Sequence, residues 1–211
     1  MSNLEKLREA VIDGDWKTAA AVTDAAIAAG VSPLTIVTEH LVPAMDEVGR
    51  RFECEDYFVP EMLLSARAMK ASMEIVRPLL AASGTEPVGR VVIGTVKGDL
   101  HDIGKNLVAS MLEGGGFEVI DLGADVSPLR FVEAVTSSNA NLVALSALLT
   151  VTMTSMKSII DAFQTAGLRE RVKIMVGGAP VTQKYAEAIG ADGYGESAAA
   201  AVALARKLVA T

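Results

Sequence analysis

The 211-residue sequence predicts a two-part α/β protein: a small four-helix bundle followed by a doubly wound parallel sheet of five strands. Three observations predict it. Helix start and stop signals fill the first eighty residues, and beyond residue 89 short β-rich runs alternate with helical stretches. The hydrophobic share, 51% against 21% charged, is that of a packed chain with a sizeable core.

The helices follow from their punctuation. Ser2 with Glu5 reads as a capping box for the first. Asp15 caps the run Trp16 to Ala29, which Gly30 ends in the left-handed conformation. Ser32 before Pro33 opens the third helix, expected to bend at Pro43. Pro60 announces the fourth, expected to reach about Arg77, where Pro78 disturbs it. Short connections join the four into a bundle over residues 1–82. Residues 83–89, SGTEPVG, read as a linker between regions of different periodicity, and 90–211 as the sheet domain.

The five strands are read at Arg90 to Val96, Phe117 to Leu122, Asn141 to Leu148, Val172 to Val176 and, more weakly, Ala191 to Tyr194. Helical patterns fall at Gly104 to Glu113, Ser127 to Ser137, Thr152 to Ala166 and Pro180 to Ile189, with a last helix from Glu196. Strand, helix, strand in strict alternation is the signature of parallel strands joined by crossovers.

Several function classes are disfavoured at this point. Nineteen basic against 26 acidic residues leave a net charge of −7, which gives no electrostatic footprint for nucleic acid or an anionic membrane. Leu142 to Met153 is the most apolar stretch; Ser146, Thr150 and Thr152 interrupt it, and it falls short of the roughly 20 residues of a spanning helix. The start lacks the apolar core of a signal peptide, and the single cysteine, Cys54, suits a reducing cytoplasm. With only His40, His101 and Cys54 as nitrogen or sulfur ligands, a closed zinc site is not expected.

In an open α/β sheet ligands sit beyond the carboxyl ends of the strands, so the residues there carry the functional argument. After the first strand comes Lys97-Gly98-Asp99-Leu100-His101-Asp102-Ile103-Gly104. Its glycines permit close backbone approach. Asp99, two residues before His101, can set a carboxylate beside the imidazole, fixing the tautomer and making the other ring nitrogen a better metal ligand. A plain alternative is that His101 caps a helix and Asp99 bonds the turn. After the third strand, Ser146-Ala147-Leu148-Leu149-Thr150-Val151-Thr152 places hydroxyls toward a ligand, or toward the cap of the next helix. After the fourth, Gly177-Gly178-Ala179-Pro180 suits a tight turn or the approach of a large ligand. All three loops lie at one edge of the sheet.

The pattern Asp99-x-His101-x-x-Gly104, 41 residues, Ser146-x-Leu148, 28 residues, Gly177-Gly178 resembles the signature of cobalamin-binding domains of the methionine-synthase type. The helical half, with Phe52 and Tyr57-Phe58-Val59-Pro60-Glu61-Met62, is similar to the cap found beside that domain, so the resemblance covers almost the whole chain. In size and arrangement it looks like the corrinoid proteins of methyltransferase systems.

The resemblance implies a Rossmann-like, flavodoxin-like sheet domain and a cobalamin whose nucleotide tail is threaded into it. His101 would be the lower cobalt ligand, supported by Asp99, within a cofactor-binding loop of Gly98, Leu100, Asp102 and Gly104. Ser146 and Thr150 would contact the nucleotide, Leu148 belongs to the same motif, Gly177 and Gly178 would leave space, and Thr152 would add a hydroxyl near the Asp–His pair. Phe52, Val59 and Met62 would shield the upper face, although for Val59 and Met62 ordinary core packing explains the residue type equally well.

The function so implied is a methyl carrier, a subunit and no complete enzyme, since a substrate barrel of around 250 residues does not fit the chain. It would accept a methyl group on cob(I)alamin from a substrate:corrinoid methyltransferase, hold methylcobalamin, and deliver to a second methyltransferase serving tetrahydrofolate or coenzyme M. A reductive activator of the corrinoid is a further implied partner. The B12-binding subunit of a radical mutase and a B12-dependent regulatory module are alternatives, although the cap opposes the first and the lack of a DNA-binding element the second. A phosphorylation receiver would need an acid where Ser146 stands.

Overall fold

A computed structural model describes residues 3–84 and 86–210. The capping box expected at Ser2 lies outside them. The chain divides into two compact units, Met1–Pro87 with Glu113–Gly116, and Val88–Leu112 with Phe117–Thr211.

The first unit is helical: α1 (Asn3–Ile12), α2 (Trp16–Ala28), α3 (Pro33–Thr35), a π-helical stretch (Ile36–Leu41), α4 (Val42–Glu53) and α5 (Val59–Ala82). Asp15 caps α2 by accepting the Thr18 N–H at 3.1 Å and its hydroxyl at 2.6 Å, and Gly30, at φ +82°, follows its end. Leu7, Val11, Ile36, Leu41, Met45 and Met69 are fully or almost fully buried. The Ile12 carbonyl, left unpaired where α1 ends, accepts the hydroxyls of Ser65 at 2.8 Å and Tyr57 at 3.2 Å.

At Pro43, where a bend is expected, the helix widens into the π-helical stretch just before the proline, and Pro43 sits in the first turn of α4. The wider turn accommodates a residue that has no N–H and crowds the carbonyl four places back. Pro78 does not end α5, which continues to Ala82. So close to the helix end, Pro78 deletes one hydrogen bond and leaves the last turn to close, with the Ser83 N–H donating to the Leu79 and Leu80 carbonyls, each at 3.1 Å.

The second unit holds β1 (Arg90–Thr95), α6 (Ile103–Gly114), β2 (Glu118–Asp121), α7 (Pro128–Ser138), β3 (Leu142–Ser146), α8 (Thr154–Thr165), β4 (Lys173–Gly177), α9 (Gln183–Ile189), β5 (Gly193–Gly195) and α10 (Ala198–Val209). The sheet is parallel throughout, in the order β2-β1-β3-β4-β5. Central strands β1 and β3 are buried almost end to end, as strands covered on both faces must be. Along β3 and β4, Val143, Leu145, Ile174 and Val176 join the core with Phe131 of α7 and Met156 and Phe163 of α8.

The register aligns the strand ends. Thr95 stands opposite Ser146, Ser146 opposite Gly177, and Gly177 opposite Gly195, so the loops after β1, β3 and β4 leave the sheet in one row. Chain order reverses between β1 and β3, the crevice where such folds bind ligands. Strand β3 stops at Ser146, two residues before its expected end, because the Leu148 N–H donates to Asp99 instead of to a neighbouring strand. The helix expected from Pro180 begins at Gln183, where Thr182 caps it, and the one expected from Glu196 begins at Ala198, where Ser197 does.

Candidate functional site

The loop after β1 is built around Asp99. Gly98, at φ +86°, takes the left-handed conformation that turns the chain sharply after Lys97, and the Asp99 N–H closes the turn on the Val96 carbonyl at 3.1 Å. The Asp99 side chain is 0% exposed. Its Oδ2 accepts the Thr152 hydroxyl at 2.6 Å and the N–H groups of Leu148 at 2.8 Å and Leu149 at 3.2 Å; its Oδ1 accepts the His101 N–H at 3.1 Å and lies 2.7 Å from His101 Nδ1. Burial alone would push this carboxyl up. The bonds from Thr152, Leu148 and His101 more than offset it and hold the group well below the usual carboxylate range.

An ionised carboxylate only accepts, so Nδ1 is the nitrogen that donates to Asp99, and the neutral ring in that arrangement has its lone pair on Nε2. The His101 side chain is 51% exposed, against none for its partner two residues away. Among the described residues no group of three or more His, Cys, Asp and Glu could hold a bare metal ion. A single imidazole, oriented by a buried acid, suits a metal that brings its other ligands with it.

Beside this loop a cavity of about 660 Å³ runs between α6 and α10 over the sheet. Ile93, Ala144 and Met175 give it an apolar floor, with Ser146 at the strand end and Tyr194 and Glu196 toward β5. The volume and the mostly apolar lining with few polar groups are those of a small-molecule or cofactor site. At Gly104 a Cβ would meet nothing within 4 Å, so the first turn of α6 adds open room.

Leu100, His101, Asp102, Gly104, Ser146, Leu148, Gly177 and Gly178 line the cavity. Asp99 and Thr152 stand behind it as the support of His101, and Gly98 forms the turn. Thr150 is exposed and does not line it. Phe52, Val59 and Met62 belong to the helical unit, where Phe52 is half-buried, Val59 exposed and Met62 fully buried. The two glycines have a reason of their own: a Cβ on Gly178, at φ +123°, would lie 1.9 Å from the Ala147 carbonyl oxygen, and one on Gly177 3.0 Å from that of Gly195. Their missing side chains make room for neighbouring backbone.

Three supports were not read from the sequence. Thr95, fully buried, donates its hydroxyl to the His101 carbonyl at 2.8 Å. Lys105 lines the cavity with its side chain only 1% exposed, its ammonium bonded to Asp121 and, at 2.6 Å, to Asn106 Oδ1. Asp125, in the loop after β2, bonds the His101 loop from the side away from β3. The signal that points to Asp125 is its place in the loop after the second strand, at the same edge of the sheet as the other three loops.

A B12 binding domain model matches residues 89–203, and a second model of that description matches residues 3–77. The chain belongs to the B12-binding corrinoid proteins. It is 44% identical over 208 residues to trimethylamine corrinoid protein 1 of Methanosarcina acetivorans, covering 98% of this chain and 96% of that one. It is 43% identical over 209 residues to the dimethylamine corrinoid protein of Methanosarcina barkeri, covering 98% and 97%. Among solved structures, the methanol:cobalamin methyltransferase complex of Methanosarcina barkeri contains a chain that superposes with a TM-score of 0.87 at 30% identity, over 99% of this chain and 80% of that chain. As a corrinoid protein of methyltransferase systems, the chain is the corrinoid-binding component, not itself the methyltransferase. Among the described residues no helix is long and apolar enough to cross a membrane.

Proposed function

We propose that this corrinoid protein carries methyl groups between two methyltransferases, with His101 as the lower cobalt ligand. The observation that carries the reading is the buried Asp99, whose Oδ1 lies 2.7 Å from His101 Nδ1 beside the cavity. Bound, the corrinoid supplies the cobalt on which a methyl group travels. The protein's own residues do the rest. Asp99 fixes the ring and its tautomer; Thr152 and the Leu148 and Leu149 N–H groups fix Asp99; Nε2 is thereby presented in one orientation. The floor of Ile93, Ala144 and Met175 would hold the nucleotide part of the corrinoid, with Ser146 as a polar contact. In this reading residues 1–82 serve as cap, 83–89 as linker and 90–211 as the corrinoid-binding domain.

The donor class that the relatives favour over methanol, methoxylated aromatics and betaines is a methylamine, because tri- and dimethylamine corrinoid proteins are 44% and 43% identical to this chain, against 30% for the chain of the methanol:cobalamin methyltransferase complex. The partners are then a methylamine:corrinoid methyltransferase, a second methyltransferase serving coenzyme M or tetrahydrofolate, and a reductive activator. The test is to reduce the reconstituted protein, add trimethylamine or dimethylamine with a matching methyltransferase, and follow methylation of the bound corrinoid by its absorbance. Methylation that needs both donor and enzyme supports the reading; a corrinoid that stays unmethylated with every methylamine:methyltransferase pair contradicts the donor assignment.

A further inference from the structure

We infer that Asp125 is a positioning residue for His101, an inference that rests on the reading of His101 as a cobalt ligand. Asp125 clamps the loop after β1 by three bonds. Its Oδ1 accepts the Gly98 N–H at 2.8 Å, its Oδ2 accepts the Lys97 ammonium at 2.9 Å, and its own N–H donates to the Asp99 carbonyl at 2.9 Å. Lys97, Gly98 and Asp99 are thus each held by this one residue.

The backbone around Asp125 is shaped for the task. Asp125 sits at φ +56°, in the left-handed region that aspartate and asparagine tolerate better than most residues. Val126 pairs with Val96 in an isolated parallel bridge, and the Thr95 N–H donates to the Gly123 carbonyl at 2.9 Å, so the loop after β2 is stitched to β1 on both sides of Asp125.

The His101 loop is therefore gripped from two directions. From β3, Leu148, Leu149 and Thr152 hold the Asp99 carboxylate, and the Ser155 hydroxyl reaches the Lys97 carbonyl at 3.0 Å. From β2, Asp125 holds the backbone that carries that carboxylate. Asp99 cannot aim the imidazole if its own main chain is free to rotate, and a ligand shifted by a fraction of an ångström loses metal-bond strength.

Three substitutions separate the side chain from the strained backbone. Asp125→Gly keeps the left-handed conformation at no steric cost and removes the acceptor for Gly98; Asp125→Asn keeps that acceptor and that conformation and weakens the pairing with Lys97; Lys97→Ala removes the ammonium alone. The experiment reconstitutes full-length protein, labelled with 15N-histidine, with hydroxocobalamin, reduces it to the cob(II) state and records electron paramagnetic resonance. A 15N axial ligand splits each cobalt line into a doublet and so counts histidine-ligated cobalt separately from any other base. Wild type should show the doublet, and Asp125→Gly should lower the ratio of histidine-ligated to unligated cobalt about fivefold, the effect of one net hydrogen bond. Asp125→Asn and Lys97→Ala should stay within about twofold of wild type.

A doublet in Asp125→Gly at the wild-type fraction overturns the role of Asp125 and leaves His101 as ligand standing. Absence of the doublet in wild type removes the His101 reading, and this inference with it. Amide exchange in the unsubstituted protein gives a test that no folding defect can obscure: the Gly98 N–H should exchange at least tenfold more slowly than an unbonded loop amide, and exchange at the unbonded rate overturns the clamp.

Discussion

The loops after β1 and β4 both line the cavity and both contain glycines at a strand end, yet they are held in opposite ways. In the first, a side chain is the organiser: Asp99 collects donors from its own loop and from the loop after β3. In the second, backbone meets backbone, with the Cα of Gly178 so close to the Ala147 carbonyl that no Cβ fits. The contrast separates two meanings of a strand-end motif. One loop is fixed so that a functional group can be aimed; the other so that two strands can end side by side.

The sharpest way to break this comparison is Gly178→Ala. The added methyl must displace the Ala147 carbonyl and hold φ +123°, so urea denaturation should show a loss of about 4 kcal/mol or more, or no folded protein at all. A cost below about 1 kcal/mol would mean that the glycine serves the ligand. Next in size is Asp99→Ala, which takes from the Leu148 N–H its acceptor, leaves the Thr152 hydroxyl only the Leu149 carbonyl, and opens a hole where a fully buried carboxylate stood. It should cost about 3 kcal/mol by the same measurement and also abolish histidine ligation of cobalt.

Thr152→Val removes one donor to the buried carboxylate at nearly constant volume and should cost about 1–2 kcal/mol, with corrinoid still bound. The smallest stability change belongs to Gly104→Ala. A Cβ there meets open space at the start of α6, so stability should stay the same or rise by up to about 1 kcal/mol, while hydroxocobalamin binding, followed by equilibrium dialysis, weakens. Unchanged affinity would place the corrinoid away from that turn.

The same contrast explains what the sequence makes legible. Alternation of β-rich and helical runs is enough for the five parallel strands, because β1 and β3 have continuous apolar stretches, Val91 to Ile93 and Leu142 to Leu145, and Ser127-Pro128, Thr182 and Ser197 mark helix starts between and after the strands. Asp99 and His101 could be paired from their spacing alone, since two residues apart in a loop is a local relation. Supports that depend on distant partners could not be read that way. Lys105 looks like an ordinary first-turn lysine until β2 brings Asp121 to it, and Asp125 like a solvated acid until Gly98 and Lys97 fold against it. The widened turn before Pro43 and the passage of α5 through Pro78 are settled by packing and by nearness to a helix end, which outweigh the local cost of proline.

The central claim is that His101, aimed by Asp99, binds the cobalt of a cavity-held corrinoid. The most direct measurement is the absorbance spectrum of wild type and His101→Ala after refolding with hydroxocobalamin and removal of excess cofactor. Stoichiometric red protein with a nitrogen-ligated spectrum in wild type, and retained corrinoid without that ligation in His101→Ala, is the predicted result. Identical spectra for the two proteins, or a wild type that emerges colourless, would contradict it.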